Sequence, residues 1–265
     1  MFSPQGPSAR ELVGQALTSV ERGYDLLAPA FDHTPFRTPD AVLAATTRAL
    51  TGLGPFDRGL DLCCGTGAGF HVLRRLCRRA VVGVDRSAGM LAQAAAQAQA
   101  AGGERAGGPP PALLRADARA LPFRGAFDLA VSFGAFGHFL AADRRALFAT
   151  TRAALRPGGL LAFPVAAPPR VGSAGYWLLW GFDAAMRARN ALWHPPFVMY
   201  YRTFPLSVAR AELTAAGFTG VRTLPLPELG LRPDGAPRCR LVLARRPPEP
   251  AADQAGPPLT RRDHT

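Results

Sequence analysis

Residues Leu60–Phe70 read LDLCCGTGAGF, an apolar stretch that runs into a glycine-rich turn. Such turns bring backbone close to a ligand, because glycine has no Cβ and accepts positive φ. Reading outward, the pattern of strand and helix repeats. RGLDLCC (58–64) is a short apolar strand, and AGFHVLRRLCRR (68–79) after the turn has helical spacing. AVVGVD (80–85) is a second strand with no polar face, as expected of one covered on both sides. SAGMLAQAAAQAQAA (87–101) is a helix with Ser87 as N-cap.

The alternation continues with strands at ALLRAD (112–117) and FDLAVSF (127–133). AADRRALFATTRAAL (141–155) is a helix that stops at Arg156-Pro157-Gly158-Gly159, before the strand LLAFPVA (160–166). A late helix, VARAELTAAGF, closes on Gly217, and VRTLPL and CRLVLARR suit a final hairpin. Strand and helix in turn predict an α/β, doubly wound sheet of seven strands, mostly parallel with a C-terminal antiparallel hairpin. ARELVGQALTSVERGYDLLAP (9–29) and DAVLAATTRALTGL (40–53) predict two N-terminal helices. One domain over 10–246 follows, with a loose end at 1–9, a flexible insert GGERAGGPPP (102–111) and a disordered Pro-rich tail at 247–265. The segment 164–206 breaks the alternation. It carries all three tryptophans, and its centre YWLLWGFDAAMRARNALW reads as a helix with one aromatic side, hence an aromatic-rich lid insertion.

Composition narrows the chemistry. The chain has 265 residues and a net charge of +12, yet all 31 basic residues are arginine. They are scattered in pairs, as a GC-rich coding sequence would leave them on a solvated surface, rather than gathered into a basic track. Without lysine there is no phosphate-binding Walker-A side chain and no Schiff base with pyridoxal phosphate. Cys63 and Cys64 are adjacent while Cys77 and Cys239 stand alone, so no zinc spacing exists and no metal is expected. The N-terminus lacks the pattern of a secretory signal and no apolar run is long enough to cross a bilayer, so a cytoplasmic protein without stable membrane insertion is expected.

The ligand of the glycine turn follows from its charges. A dinucleotide asks for G-x-G-x-x-G, but here the third glycine falls one residue early and Phe70 stands where close helix packing needs a small residue. Asp61, four residues before Gly65, would oppose an anionic pyrophosphate at a cost of several kcal/mol in a poorly solvated cleft. Asp85 ends the second strand twenty residues after Gly65, the distance at which a carboxylate takes ribose hydroxyls. An adenosine with a cationic end and no phosphate fits, and S-adenosylmethionine is such a molecule.

LDLCCGTGAG, VVGVDRSAGML, RADARALPF, FDLAVSFGAFGHF and LRPGGLLAF together resemble the successive motifs of class I S-adenosylmethionine-dependent methyltransferases, a Rossmann-like family. The resemblance is nearest to the small-molecule branch that includes the ubiquinone and menaquinone biosynthesis methyltransferases. It implies that Asp61, through its neighbourhood, holds the methionine amino group and that Gly65, Thr66 and Gly67 lie against the cofactor. Asp85 would take both ribose hydroxyls, and Arg86 and Met90 would pack on adenine. Asp117 would accept from the adenine amino group, with the Ala118 N–H on a ring nitrogen. Ser132 and Phe133 would stand beside the transferable methyl, and Tyr24 resembles a tyrosine that covers the cofactor. Cys63 departs from the family's usual glycine.

The expected reaction is transfer to an oxygen, nitrogen or carbon of an apolar or aromatic small molecule by in-line displacement. His138 is the candidate base for a phenol acceptor. The lid aromatics should either choose the acceptor or only pack the lid onto the sheet, and Arg170, Arg187, Arg189 and Arg202 could meet a carboxylate on the acceptor. No nucleic-acid partner is expected. An RNA methyltransferase, or a non-catalytic cofactor-binding or membrane-surface protein on the same fold, are the alternatives, and the sequence leaves the oligomeric state open.

Overall fold

The computed structural model describes residues 6–8, 11, 14, 17–100, 107–194, 198 and 204–249. Helix α1 (Val20–Leu27) runs into a 3-10 turn (Ala28–His33) and is followed by α2 (Asp40–Thr51). The sheet and its crossovers are β1 (Phe56–Leu62), α3 (Phe70–Leu76), β2 (Cys77–Asp85), α4 (Ala88–Ala100), β3 (Pro111–Arg115), β4 (Phe127–Val131), α5 (Ala141–Ala154) and β5 (Leu155–Ala166). Then come α6 (Ala174–Leu192), α7 (Leu206–Ala215), β6 (Thr219–Pro225) and β7 (Cys239–Arg245). The strand order is β3-β2-β1-β4-β5-β7-β6, parallel throughout except for β7, which pairs antiparallel with β5 and β6. This is the expected doubly wound, Rossmann-like sheet of seven strands. Its switch point lies between β1 and β4, and so between the glycine turn and the loop after β4.

An irregularity in β1 between Phe56 and Arg58 turns its start to one layer and its end to the other. Leu60 and Leu62 join the core on the side of α5 and α7, with Phe148, Phe163 and Leu213. Phe56 joins the other core, with Leu50, Phe70, Leu73 and Ala94. Each fully buried Leu or Phe contributes roughly 1.5–3 kcal/mol, so these two clusters supply most of the driving force. Asp128 of β4 accepts the N–H groups of Asp57 and Arg58 at 2.9 and 2.6 Å and fixes β4 beside β1. Gly217, at φ 82°, ends α7 with its N–H on Thr214 O, and Phe218 N–H returns to Leu213 O. That is the glycine C-cap the sequence predicts.

Three boundaries differ from expectation. The helix expected over 9–29 does not run through Leu17–Ser19: there the chain turns, and Ser19 Oγ caps a new helix by accepting Arg22 N–H at 3.2 Å. The helix after the glycine turn ends at Leu76, because Cys77 already pairs with Phe56, so β2 begins three residues early. The strand β5 starts at Leu155, and the Pro157–Gly159 segment is absorbed as an irregularity in its pairing with β4. The loose end at 1–9 and the tail at 247–265 fall mostly outside the described residues, as does the first half of the insert at 102–111, whose last residue, Pro111, opens β3.

Arg144 joins α5 to α7. Its guanidinium forms a fork with Glu212 (2.8 and 2.7 Å), donates to Phe139 O at 3.0 Å and lies 5.0 Å from the Phe204 ring centroid. The side chain is buried. Arg144→Ala should therefore lower unfolding stability by about 3 kcal/mol, the usual cost of orphaning one partner of a buried pair. Urea titration measures it, and a loss below about 1 kcal/mol would show the fork to be as weak as an exposed ion pair.

Candidate functional site

The carboxyl ends of β1 to β4 and the N-terminal helices enclose a cavity of about 790 Å³. Of the residues singled out by sequence, Asp61, Gly65, Thr66, Asp85, Arg86, Met90, Asp117, Ala118 and His138 line it, and so does Tyr24. Gly67 and Ser132 do not. Ser132 is buried and donates its hydroxyl to Leu62 O at 3.0 Å, tying β4 to β1. Gly67, at φ 95°, faces the Phe70 ring, which a Cβ there would approach to 2.8 Å. A Cβ on Gly83 of β2 would come within 2.5 Å of the same ring. Two glycines, rather than one small residue at the head of the helix, thus make room for this phenylalanine.

Asp61 has the least ordinary environment in the site. It is 1% exposed, and neither carboxylate oxygen has a hydrogen-bond partner. Burial first, and the neighbouring Asp85 second, hold its pKa well above the carboxylate range; the Gly69 N–H opposes this weakly without closing a hydrogen bond. Gly69 is glycine of necessity, since a Cβ there would overlap the carboxylate. A buried, unsatisfied carboxylate at a cavity wall is a strong acceptor for a cation or N–H donor brought by a ligand.

Asp85 is already at work within the protein. Its two oxygens accept Gly65 N–H and Ser87 N–H, each at 2.9 Å, so it shapes the glycine turn and the start of α4 together. Burial raises its pKa, and these N–H groups pull it back. Each oxygen keeps a further lone pair for a ligand hydroxyl. Ser87 caps α4 as expected, its Oγ accepting Met90 N–H at 3.0 Å. Asp117 is held by Arg119, whose Nη2 reaches Oδ2 at 2.7 Å, and this fork lowers its pKa. A ligand amino group would share Asp117 with Arg119. Cys63, where the resemblance leads one to expect glycine, adopts φ 53°, the only positive φ of a non-glycine residue among those described.

No sequence motif marks the three carboxylates that fasten α1 and the 3-10 turn onto this site. Glu21 accepts from Arg86 (3.1 Å) and Arg115 (2.8 Å). Asp25 accepts the Ser87 hydroxyl at 2.5 Å and Gly89 N–H at 2.9 Å. Asp32 accepts the Thr66 hydroxyl at 2.8 Å. Only the placing of three acids along one N-terminal stretch hinted at them.

The same helix brings Tyr24 to His138. The tyrosine hydroxyl lies 2.9 Å from His138 Nε2, and His138 Nδ1 lies 3.1 Å from Val198 O. A carbonyl only accepts, so Nδ1 carries the proton and Nε2 receives the Tyr24 O–H. Burial pushes the imidazole pKa below its ordinary value, and the Val198 carbonyl resists that shift. His138 is thus a neutral base with its lone pair on a phenol that faces the cavity.

The lid corrects the expectation most. Among the described residues of 164–206, Pro164, Ala166 and Val198 line the cavity. Trp177, Trp180 and Trp193 are exposed, so they neither select a ligand nor pack onto the sheet. Arg170, Arg187 and Arg189 do not line it either, and Arg202, Tyr200 and Tyr201 lie outside the described residues. The cavity's arginines are Arg37, Arg86 and Arg119, and its apolar wall includes Phe31, Phe36, Val42, Phe133, Phe139 and Leu140.

Residues 60–159 match the model of a methyltransferase domain. No curated protein matches the chain. Among solved structures, a possible exported protein from Bordetella parapertussis superposes with a TM-score of 0.57 at 21% identity, over 92% of this chain and 91% of that one. A candidate O-methyltransferase from Nostoc punctiforme gives 0.61 at 18% identity, over 84% of this chain and 60% of its own, so this chain spans less than two thirds of it. The N-methyltransferase NodS from Bradyrhizobium japonicum gives 0.53 at 19% identity, over 82% and 99%. At these identities the likeness is one of fold.

The raised pKa of Asp61 makes a claim about stability. Its burial costs nothing in acid, and costs progressively more as pH rises through the unfolded-state value toward the folded one. Asp61→Asn removes that cost. The variant should match the wild type near about pH 4 and exceed it by about 1.4 kcal/mol for each further pH unit until the folded pKa is passed. Denaturant titrations across that range measure the gap; a constant gap would mean that Asp61 ionises normally.

Proposed function

We propose that this chain is a class I S-adenosylmethionine-dependent methyltransferase and that it methylates a nucleophilic atom of an apolar or aromatic small molecule; the matching domain and the sheet order support the first part. A hydroxyl oxygen is the acceptor best served by the site. The observation that carries this reading is the Tyr24–His138 pair, set in an otherwise largely apolar wall. S-adenosylmethionine supplies a methyl already activated on a sulfonium, which departs as a neutral thioether.

The protein's task is to place that cofactor and its partner, exclude water and take up one proton. Asp61 meets the cationic amino group, which ends its isolation. Gly65, at φ 54° and with open space where a Cβ would stand, lets the turn approach closely. Asp85 receives the ribose hydroxyls on the lone pairs that Gly65 and Ser87 leave. Met90, fully buried, and Arg86, held by Glu21, flank the adenine, with Asp117 and the Ala118 N–H at its edge.

An acceptor hydroxyl becomes strongly acidic as its oxygen is alkylated, so a weak base suffices. Tyr24 Oη takes that proton and passes its own to His138 Nε2. The Nδ1–H stays on Val198 O, so the imidazolium keeps a carbonyl partner. The lowered pKa then favours release of the proton before the next turnover. The four cysteines are all free thiols, which suits a reducing, cytoplasmic setting.

Mass spectrometry of the native protein for copurified cofactor, followed by labelled methyl transfer to a panel of phenols, acids and amines, tests the reading. Phenols should be the best acceptors, and a chain that takes up no adenosyl ligand would overturn it. Tyr24→Phe and His138→Gln should each lower kcat for a phenol by about ten-fold or more with little change in KM, and the double variant should be no worse than either. The wild-type rate should fall in acid with an inflection below the ordinary histidine value of about 6.5. Retention of that inflection in His138→Gln would remove the histidine from the proton path.

A further inference from the structure

Helix α6 is apolar on its outward side as well as its inward one. Over its 19 residues it is about 28 Å long at 1.5 Å per residue. A surface helix turns its charged side to water and its apolar side to the core. Here Asp183 and Met186 are buried, and Phe182 packs with Met186 against Val20 and Tyr24 of α1. The outward half instead carries Trp177 (56% exposed), Leu178 (73%), Trp180 (49%) and Leu192 (84%). At about 100° per residue these four share one half of the cylinder, interleaved with alanine and glycine, with Arg187 at its edge. The Trp177 and Trp180 rings meet edge to face, their centroids 6.0 Å apart, so the patch is continuous. Val171, 83% exposed, extends it beyond the helix N-terminus. Other exposed large side chains, such as Leu17, Leu26 and Leu231, lie elsewhere along the chain and are ordinary.

Charge identifies the occupant. Between Ala167 and His194 the sole acid is Asp183, which is buried, while Arg170 and Arg187 are exposed. The face therefore presents tryptophan, leucine and arginine to its surroundings with no exposed negative charge, on a chain of net charge +12. That combination suits the headgroup level of an anionic bilayer, where indole rings sit at the polar–apolar boundary and arginines meet lipid phosphates. No helix among the described residues is long and apolar enough to cross a membrane, so the contact is with the surface only. We propose that α6 docks the protein on anionic membrane surfaces through Trp177, Leu178, Trp180 and Leu192, with Arg170 and Arg187 on the headgroups. The docked helix forms the outer layer over α1 and Tyr24. An acceptor dissolved in lipid would then enter at the edge of the cavity without crossing bulk water.

Co-sedimentation of the full chain with phosphatidylcholine vesicles, with and without phosphatidylglycerol, tests this. The wild type should partition onto the anionic vesicles at low salt and be largely released at high salt. Its tryptophan emission should shift to shorter wavelength on binding. Trp177→Ser with Trp180→Ser should weaken partition about ten-fold or more while leaving the melting temperature unchanged, because both side chains are exposed. Arg187→Gln should weaken binding to anionic vesicles about five-fold and leave neutral vesicles unaffected. A wild type that stays in the supernatant with both vesicles, or a double variant that binds equally well, overturns the proposal. So does a wild-type dimer that the double variant converts to monomer without any vesicle binding, which would make a second copy of the chain the occupant. None of these outcomes depends on which acceptor the enzyme methylates.

Discussion

A carboxylate buried without a partner at the end of a central strand is the constraint around which the site is organised. Asp61 can sit there only because Gly69 leaves it room and because α1 and α2 close the cavity from above. The ionised form is costly in such a place, so the protein carries a cost that a cationic ligand removes. The same charge opposes a pyrophosphate. Selection of an adenosyl sulfonium donor thus rests on an unmet electrostatic demand more than on any contact the protein makes with itself.

The N-terminal helices turn an open crevice into an enclosed one. Glu21, Asp25 and Asp32 each hold a different part of the cofactor side: the arginines after β2 and on β3, the cap of α4, and the glycine turn. Tyr24 sits on the same helix and reaches His138, while His138 reaches Val198 beyond α6. Cofactor site, base and outer layer therefore share one mechanical connection. Asp25 and Tyr24 are neighbours in sequence, so whatever moves α1 moves the proton acceptor and the α4 cap together. The outer layer ends in the apolar face of α6, the face proposed to dock on lipid, which gives that connection an external handle.

The alternation of strand and helix, the glycine turn, the α4 cap and the C-terminal hairpin were all legible in the sequence, because each depends on local periodicity or a turn residue. Asp61 and Asp85 were legible from their distance to Gly65. Contacts between distant segments were not. Tyr24 and His138 stand 114 residues apart, and nothing in either neighbourhood encodes the other. Gly67 was read as a ligand contact because its partner, the Phe70 ring, only becomes visible once α3 is folded back onto β2. Ser132 does not line the cavity, and its hydroxyl is spent on Leu62 O within the sheet. Helix α6 was recognised as aromatic on one side, but periodicity shows that a helix has two faces and does not say which one is outward. Met186 faces inward as the usual rule asks, while the buried Asp183 and the exposed Trp177, Leu178 and Trp180 go against it.

The most direct measurement is calorimetric titration of the chain with S-adenosylhomocysteine and with its analogue lacking the amino group, repeated on Asp61→Asn. If the carboxylate waits for that cation, the wild type should bind the deaminated analogue at least about ten-fold more weakly, and the variant should barely distinguish the two. Equal affinity of the wild type for both ligands, or a preference for a nicotinamide dinucleotide over either, would contradict it.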